Sequence, residues 1–524
     1  MAEKHRMFYN DDGDSSMSQY RGPIRPQMIT DAVDVLLGAP ITTICYCADP
    51  GGCTNYPTQV GSMAGWRKVK ANDSGHYKRQ YEFYQYVREH NWDIPRMVME
   101  RALERGFEFV PSMRMNDAHF GQKVPPAEDP WTTEFWVQHQ DLVIGPAQFK
   151  SWGNQHLLDF RHKEVRDYGL ALAFEMIDRY AADGFEMDWT RHYTFFKPGD
   201  EQPELLTDMV RQVRRKLDER GRKLGKKLFL ITRVTPSIKT SLELGLDVAG
   251  WVREGLVDYV VPSSPTRYIS MDMPVDEWVD LVKGKPVEIH PSPDSAAPRG
   301  NGQATLEMYR AAASNYYAMG AHGFYFFNLF CRGYPLDGTD YVIMRDASDP
   351  DALSRRDKFF MADVINWRSD TDTLGVKLDA SKDTARIGLW VGDDLAGARA
   401  ATSLRSASLR VRVSALEPQD RLEVALNGVP LDIKKARVHA PTGRDVIAFN
   451  ASIPTWTYER AVLGSSPGIW FEFELGDPLP RRGDNIVTVR RIVRDKNGGK
   501  YETTIVNVDL AVCYDYCGRD DLLT

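Results

Sequence analysis

Cysteine is scarce in this chain, with six residues in a length of 524. So few thiols cannot form the dense disulfide framework of a small secreted protein. Cys45, Cys47 and Cys53 are close in sequence, as are Cys513 and Cys517, but neither spacing matches a zinc-binding pair followed by a second pair. We therefore expect buried free thiols and no metal centre built from cysteine.

The sequence also lacks long apolar runs and any excess of basic residues. No run approaches the roughly 20 residues of a membrane span, and the polar start MAEKHRMFYNDDGD has no apolar signal-peptide core. The formal net charge is -7, with no basic tail or stripe. These absences argue against nucleic acid or a membrane as a partner. They predict a cytoplasmic protein, or a secreted or periplasmic one whose signal has been removed.

Short β-like segments alternate with helix-like stretches over the first 370 residues, which is typical of a parallel sheet. Eight segments are predicted as strands: 7–11, 41–46, 108–113, 184–188, 227–232, 257–262, 286–290 and 323–328. Eight such units indicate an α/β fold with a (β/α)8 TIM barrel over residues 1–370. Asp349 followed by Pro350 is a typical helix start, so we predict an eighth helix over 349–363.

From about residue 372 onwards the pattern becomes pure alternation, as in the segments 409–413 and 486–490. Asn427-Gly428 between two such segments is a strong hairpin signal. We therefore predict a C-terminal antiparallel β-sandwich domain over residues 371–524. It could bind sugar, brace the barrel or form a homodimer contact, and bracing is our default expectation.

The strand predicted at 184–188 ends in an unusually polar segment. Glu186 and Asp188 share the parity of a strand, so both carboxylates should point to one side, into the barrel. Arg191 and His192 follow directly. A structural ion pair explains Glu186 equally well, whereas Asp188, nearer to the mouth, is a candidate catalytic residue.

Polar residues also follow the other predicted strands, where the active site of a barrel is built. Arg191 and Arg233 could converge on one substrate carboxylate, or could balance the charge of the acidic residues. Asn116 and Asn328 could bind hydroxyl or carboxylate groups of a substrate, or could cap loop backbone. Carboxylates beside the histidine His119 suit general acid and base catalysis.

A metal site is the weaker interpretation of the same residues. Asp11, Asp14, His119 and Asp188 all carry possible ligand atoms, but the sequence contains no His-x-His or His-Glu-x-x-His spacing. We therefore predict that neither a metal nor another cofactor takes part.

Three motifs carry a family resemblance: Arg-Met-Asn-Asp-x-His at 114–119, Leu-Asp-Phe-x-His-x-Glu-Val-Arg at 158–166 and Gly-Phe-Glu-Met-Asp-Trp-x-Arg-His at 184–192. The chain resembles, over nearly its whole length, glycoside-hydrolase-like barrels of environmental bacteria, and among these glycoside hydrolase family 156, the inverting exo-sialidases. The resemblance implies a sialylated glycan or another acidic carbohydrate as the partner.

The same resemblance implies roles for individual residues. Asp14 matches the catalytic aspartate after strand one, and either His119 or His139 matches the catalytic histidine. Arg191 and Asn328 match the groups that hold the carboxylate of sialic acid. Direct attack by water would then release the sugar with inversion.

Two other functions remain open at this point. One is a retaining glycosidase for a neutral or uronic sugar, with Asp188 as the acid and Glu288 as the nucleophile. The other is a non-catalytic glycan-binding barrel, which would need stacked aromatic rings but no acid and base pair.

Overall fold

The computed structural model of the chain describes residues 5–13, 23–66, 75–120, 129, 131–145, 156–264, 268–297, 303–368, 370–379, 381–414, 416, 421–439, 468–493 and 503–515. These residues form two compact units that alternate along the sequence. The first unit comprises 1–266, 277–292 and 322–341, and the second comprises 267–276, 293–321 and 342–524. The predicted domain boundary at residue 370 stays a prediction. No helix in the described ranges has the length and apolar character of a membrane span.

The first unit contains an eight-stranded parallel sheet in the order β7-β6-β5-β4-β3-β2-β1-β8. Its strands are β1 (Arg6–Asp11), β2 (Thr43–Cys47), β3 (Glu108–Arg114), β4 (Gly184–Asp188), β5 (Phe229–Val234), β6 (Tyr259–Pro262), β7 (Glu288–Ile289) and β8 (Gly323–Phe326). Two backbone hydrogen bonds join the outermost strands, from His322 N to Ile289 O (3.0 Å) and from Tyr325 N to Pro291 O (3.1 Å). The predicted α/β TIM barrel is confirmed.

Helices follow or separate these strands, as the alternating pattern predicts. They are α1 (Gln27–Asp34), α2 (Gly75–Glu89), α3 (Ile94–Glu104), α4 (Glu134–Gln138), α5 (Lys163–Arg179), α6 (Pro203–Leu224), α7 (Ile238–Glu243), α8 (Val248–Arg253), α9 (Val275–Val282), α10 (Leu306–Ala318), α11 (Gly338–Ala347), α12 (Pro350–Leu353) and α13 (Leu395–Ala400). In α5 the apolar residues Val165, Leu172 and Met176 are buried and repeat at helical spacing.

The bore of the barrel is filled by side chains of its strands. Its buried apolar cluster is formed by Phe8, Cys45, Val110, Ile231, Val261, Tyr325 and Phe327. Because side chains alternate along a strand, residues two or four positions further on point to the same side, at the carboxyl ends of the strands. Arg114, Asp188 and Arg233 occupy such positions and form the floor of the barrel mouth.

A tight turn after β1 depends on Gly13. Its φ is +81°, in the left-handed region, and a Cβ atom there would lie 2.1 Å from the carbonyl oxygen of Cys47. Gly13 N also donates to Asp11 Oδ1 (2.8 Å). The turn holds the start of the loop, and with it Asp12, against β2.

The second unit contains two antiparallel sheets, as predicted for a β-sandwich. Their strands are β9 (Lys358–Met361), β10 (Lys377–Leu378), β11 (Thr384–Val391), β12 (Leu404–Ser414), β13 (Arg421–Leu426), β14 (Val429–Leu431), β15 (Arg437–His439), β16 (Ile469–Glu474), β17 (Gly483–Val493) and β18 (Thr503–Tyr514). One sheet has the order β10-β18-β12-β16-β15, with β9 also paired to β18, and the other has the order β11-β17-β13-β14. The Asn427-Gly428 hairpin is confirmed, with φ of 51° and 81° at its two residues.

The predicted helix at 349–363 is wrong beyond its first turn. Asp349 does cap a helix, because its side chain accepts from Ala352 N, but the helix ends at Leu353. Residues 358–361 instead form β9, in which Phe360 pairs with Leu510 of β18. Burial of Lys358 and Phe360 against this partner strand outweighs the local helix signal.

Candidate active site

Side chains from the ends of β1, β3 and β4 meet at the mouth of the barrel. We call this group the mouth cluster, and it consists of Asp12, Arg114, Asp117, His119, Arg191 and His192. Among four of its members, the side chains of Asp12 (18%) and His119 (19%) are partly exposed, whereas those of Arg114 and Asp117 are buried. Asp12 and His119 are therefore the ionisable groups that a ligand can reach among these four.

Asp117 is the centre of the hydrogen-bond network. Its Oδ2 accepts from Gly51 N (3.1 Å) and from Arg114 Nη1 (3.1 Å). Its Oδ1 accepts from His119 N (3.1 Å) and from the Nδ1 of the same imidazole. Burial opposes the negative charge, but the neighbouring His119 and Arg114 outweigh it and hold the pKa of Asp117 well below its ordinary value.

His119 is held between a carboxylate and a guanidinium. Its Nε2 lies 2.6 Å from Arg191 Nη2. Because a guanidinium can only donate, Nε2 must accept, and the single ring proton must be on Nδ1, which donates to Asp117. Burial and the charge of Arg191 together lower the pKa of His119 to about 4, although Asp117 opposes the change. The imidazole is therefore neutral near pH 7, with a lone pair on Nε2.

His192 lies behind His119, with the two rings in edge contact at 4.9 Å between centroids. Its Nδ1 is 3.5 Å from Asp117 Oδ1 and accepts from Ala118 N (3.4 Å). Burial lowers the pKa of His192 well below its ordinary value, as does the neighbouring His119. His192 therefore adds a second neutral ring to the wall of the mouth.

Asp117, His119 and His192 also meet the distance criterion for a metal site, since one ligand atom from each lies within 4.8 Å of the others. The contact from Arg191 to His119 favours the hydrogen-bonded alternative, because it leaves a proton rather than a lone pair on Nδ1. The other predicted metal ligands have different partners: Asp11 accepts from Gly13 N and Asp188 accepts from Arg233.

Arg114 ties β3 to the loop after β1. Its Nη2 donates to Asp12 Oδ1 (2.5 Å), and its other terminal nitrogen donates to Asp117. Burial would raise the pKa of Asp12, but Arg114, Arg191 and His119 together lower it below the ordinary value. Asp12 is thus an ionised carboxylate at the edge of the mouth.

Asp188 and Arg233 form a buried ion pair on neighbouring strands. Arg233 Nη1 donates to Asp188 Oδ2 (2.7 Å), and both side chains are almost fully buried. Asp188 Oδ1 accepts from Thr190 N (2.8 Å), and the guanidinium lies 3.6 Å above the ring of Phe327. Arg191 and Arg233 therefore have separate partners in the structure, and the charge-balancing role weighed for Arg233 accounts for its position.

Glu186 lies one layer deeper in the bore than Asp188. It accepts from the hydroxyl of Tyr325 at 2.8 and 3.0 Å. Burial and the neighbouring charge of Asp188 raise the pKa of Glu186 to about 7. The predicted parity of Glu186 and Asp188 is thereby explained, since both point into the bore.

The remaining predicted residues lie in other settings. Asn116 Nδ2 donates to the carbonyl oxygens of Leu158 (3.0 Å) and Thr194 (2.8 Å), which is a loop-anchoring role. Asn328 begins the turn after β8 with a left-handed φ of 56°. His139 caps the carboxyl end of α4, and its ring contacts Phe135 rather than the mouth cluster within the described residues. Asp14 lies outside the residues that the structure describes.

Glu288 is not brought together with Asp188, which corrects the retaining pair considered above. Glu288 is the first residue of β7, whereas Asp188 is the last residue of β4. In a parallel barrel these positions face opposite ends. Glu288 Oε2 contacts His290 Nε2 (3.0 Å) at the amino-terminal end, away from the mouth.

Sequence analysis did not predict four members of the mouth cluster as site residues: Asp12, Arg114, Asp117 and His192. Each lies inside a polar segment that was recognised at a strand end. The signal that could have found Asp117 is its position two residues before His119, a spacing that lets a carboxylate reach the Nδ1 of the following imidazole.

The comparisons with known proteins do not define a family for this chain. No family model matches the chain. It is 20% identical over 307 residues to "Glycosyl hydrolase DigH" of Escherichia coli K12, and to its counterpart in Shigella flexneri. The match covers 50% of this chain and 64% of DigH, so the chain spans less than two thirds of the curated relatives that it matches.

Similar solved structures are more distant. The GH36 α-galactosidase AgaA of Geobacillus stearothermophilus is 11% identical, with a TM-score of 0.36 over 94% of this chain and 56% of that enzyme. A cycloisomaltooligosaccharide glucanotransferase of Paenibacillus sp. is 9% identical, with a TM-score of 0.34 over 97% of this chain and 57% of the other. Similarity this low carries no argument about activity.

Proposed function

We propose that the chain is a glycoside hydrolase that acts at the barrel mouth on a terminal sugar carrying a carboxylate. In its most specific form the proposal is an exo-α-sialidase that releases sialic acid with inversion. The observation that carries it is the position of His119 between Asp117 and Arg191, beside the ionised Asp12. The match to DigH, described as a glycosyl hydrolase, supports the general class.

His119 serves as the general base in this proposal. Asp117 accepts from Nδ1 and so fixes the ring and its tautomer, which leaves the lone pair on Nε2 directed towards Arg191. A carboxylate that orients an imidazole in this way is a recurrent catalytic arrangement. A water held at Nε2 would transfer one proton to the ring as its oxygen attacks the anomeric carbon.

Arg191 must leave His119 before this base can act. In the free protein its Nη2 occupies the position at Nε2 that an attacking water needs. A substrate carboxylate would bind the guanidinium more strongly than a neutral imidazole does, because both partners are charged. Binding of an acidic sugar would thus free the base and remove a nearby positive charge, which raises the pKa of His119. A neutral sugar has no group to move Arg191.

Asp12 and the predicted residue Asp14 complete the proposed reaction. The carboxylate of Asp12 is ionised and would stabilise the positive charge that develops on the sugar ring. As the bond between the anomeric carbon and the leaving oxygen breaks, Asp14 would supply the proton to that oxygen. Asn328 remains the predicted second contact to the substrate carboxylate, beside Arg191. Attack by water from the opposite face gives inversion.

The test is a panel of aryl glycosides that contains an α-sialoside, a β-glucuronide and a β-galactoside. We expect hydrolysis of the α-sialoside and no hydrolysis of the neutral galactoside. Proton NMR of the first-formed sugar should show the β-anomer. Cleavage of the galactoside alone would contradict recognition of a carboxylate, and initial release of the α-anomer would contradict inversion.

A further inference from the structure

A cavity lies between the loop after β2, the end of α2 and the start of α4. It has a volume of about 340 Å³, which is in the usual range of small-molecule sites. The residues that matter for its chemistry are Trp66, Arg88, Asn91 and Glu134. All of them belong to the first compact unit.

The cavity is connected to the mouth cluster through two loops. Gly51, in the loop after β2, donates to Asp117, and a Cβ atom on Gly51 would lie 3.8 Å from Trp131. Next to Trp131, the carbonyl of Thr132 accepts from Trp66 Nε1 at 2.9 Å. Trp131 and Thr132 are buried, so these contacts run through the protein. The two loops follow β2 and β3, which are neighbouring strands, and this puts the cavity at the same end of the barrel as the mouth cluster.

The ring of Trp66 offers a fixed surface on this wall. Its indole N–H is already bonded to Thr132 O, which holds the orientation of the half-buried ring. Aromatic faces of this kind pack against the apolar face of a sugar ring, while polar groups at the edge bind the hydroxyl groups.

Arg88 and Asn91 provide hydrogen-bond donors at the end of α2. Both side chains are exposed, and neither makes a side-chain hydrogen bond or ion pair within the described part of the chain. Glu134, the first residue of α4, supplies an acceptor, and its Oε1 also accepts from Gln138 Nε2 (3.1 Å). One positive and one negative group in the same cavity disfavour a strongly charged ligand of either sign.

We infer that this cavity is a subsite for a neutral sugar residue, the part of the glycan that follows the terminal acidic sugar. This inference rests on the proposed function and specifies its substrate: an acidic sugar joined to a neutral saccharide. Trp66 would carry the ring face, and Arg88, Asn91 and Glu134 would bind its hydroxyl groups.

The direct test is calorimetric titration of lactose, a neutral disaccharide, into the wild-type protein and single variants. Arg88→Ala and Trp66→Ala should each weaken lactose binding about tenfold, corresponding to one hydrogen bond to a charged group or one ring contact. Arg79→Ala removes another exposed arginine of α2 that does not line the cavity, so it should bind like wild type. Absence of saturable lactose binding to the wild type, or equal binding by Arg88→Ala, would overturn the subsite.

A kinetic comparison separates failure of the subsite from failure of the proposed function. Arg88→Ala should lower kcat/KM about tenfold on sialyllactose but leave it unchanged on an aryl sialoside, whose aglycone is not a sugar. If the wild type hydrolyses neither compound, the proposed function fails, and the lactose titration still decides the subsite. An equal effect of Arg88→Ala on both substrates would contradict binding of the neutral sugar.

Discussion

At the scale of single residues, the arrangement around His119 explains why an acidic protein concentrates arginines in one place. Arg114 keeps Asp12 and Asp117 ionised from within the barrel, whereas Arg191 contacts the imidazole from the mouth. The first is buried and bonded on both terminal nitrogens, so it is a structural cation. Arg191 is half-buried and contacts the neutral imidazole of His119, and we propose it as the arginine of this pair that a substrate anion binds.

The pH profile of Arg191 variants tests this distinction. In the wild type, kcat/KM should fall as the pH drops through about 4, because protonation of His119 removes the base. This fall is the acidic limb of the pH profile. Arg191→Gln removes a positive charge that lowers this pKa, so the limb should move upwards in pH, towards the ordinary value of about 6.5.

Arg191→Lys is the matched control, because it keeps the charge but loses the planar fork. It should leave the limb near its wild-type position and reduce kcat/KM roughly tenfold or more, the equivalent of one charged hydrogen bond. An acidic limb at the same pH in the wild type and both variants would show that Arg191 does not influence the pKa of the base.

Glu186 predicts a separate effect on stability. Its pKa is about 7 in the folded protein, against a value of 4.5 when unperturbed, so the folded state binds this proton more tightly. Stability from this group is present at low pH and is lost as pH rises from about 4.5 through about 7, by about 3 kcal/mol. Between pH 5 and pH 8, the free energy of unfolding of Glu186→Gln, measured in urea, should therefore rise by about that amount relative to that of the wild type. A constant difference at both pH values would contradict the buried, proton-binding state.

At the scale of elements, the loop after β1 depends on one glycine. Gly13→Ala forces a left-handed φ and brings Cβ within 2.1 Å of a backbone oxygen of Cys47. Gly38→Ala is the control, since Gly38 has a φ of +89° with no atom within 4 Å. Strain alone costs about 1–2 kcal/mol, so Gly13→Ala should destabilise the protein more than Gly38→Ala in thermal or urea unfolding. Equal losses of stability would show that the contact with Cys47 relaxes freely.

Most of the strands could be predicted because each is a short apolar run bounded by turn residues, and β4 was placed at Gly184–Asp188 without error. The strand β9 could not be predicted, because Phe360 pairs with a residue of β18 that lies about 150 residues away in sequence. Prediction of the element type fails where burial against a distant segment overrides the local sequence signal.

The site was predictable in place but not in detail. Strand parity indicated that Glu186 and Asp188 face the bore, since that follows from the backbone alone. The pairing of His119 with Asp117 also depends on Gly51, in the loop after β2, and on Arg114, the last residue of β3, because both donate to Asp117. Arg233 pairs with Asp188 because the two residues lie opposite each other on adjacent strands. The sequence alone could not distinguish this ion pair from a role of Arg233 in substrate binding.

At the scale of the whole molecule, the proposed activity lies entirely within the first compact unit. The barrel strands, the mouth cluster and the cavity beside Trp66 all belong to it. The net charge of -7 gives no general attraction for an anionic glycan. Under the proposed function, capture of an acidic sugar therefore depends on local cations, and among the described residues Arg191 lies beside the proposed base.

The most direct test of this account compares two histidine variants on an aryl α-sialoside, with unfolding curves to check that both fold like wild type. His119→Gln should lower kcat/KM by a factor of about a hundred or more, as expected for loss of a general base. His139→Gln changes a histidine that packs on Phe135, and it should keep the wild-type rate. Wild-type turnover by His119→Gln, or a large loss in His139→Gln instead, would contradict the assignment of His119 as the catalytic base.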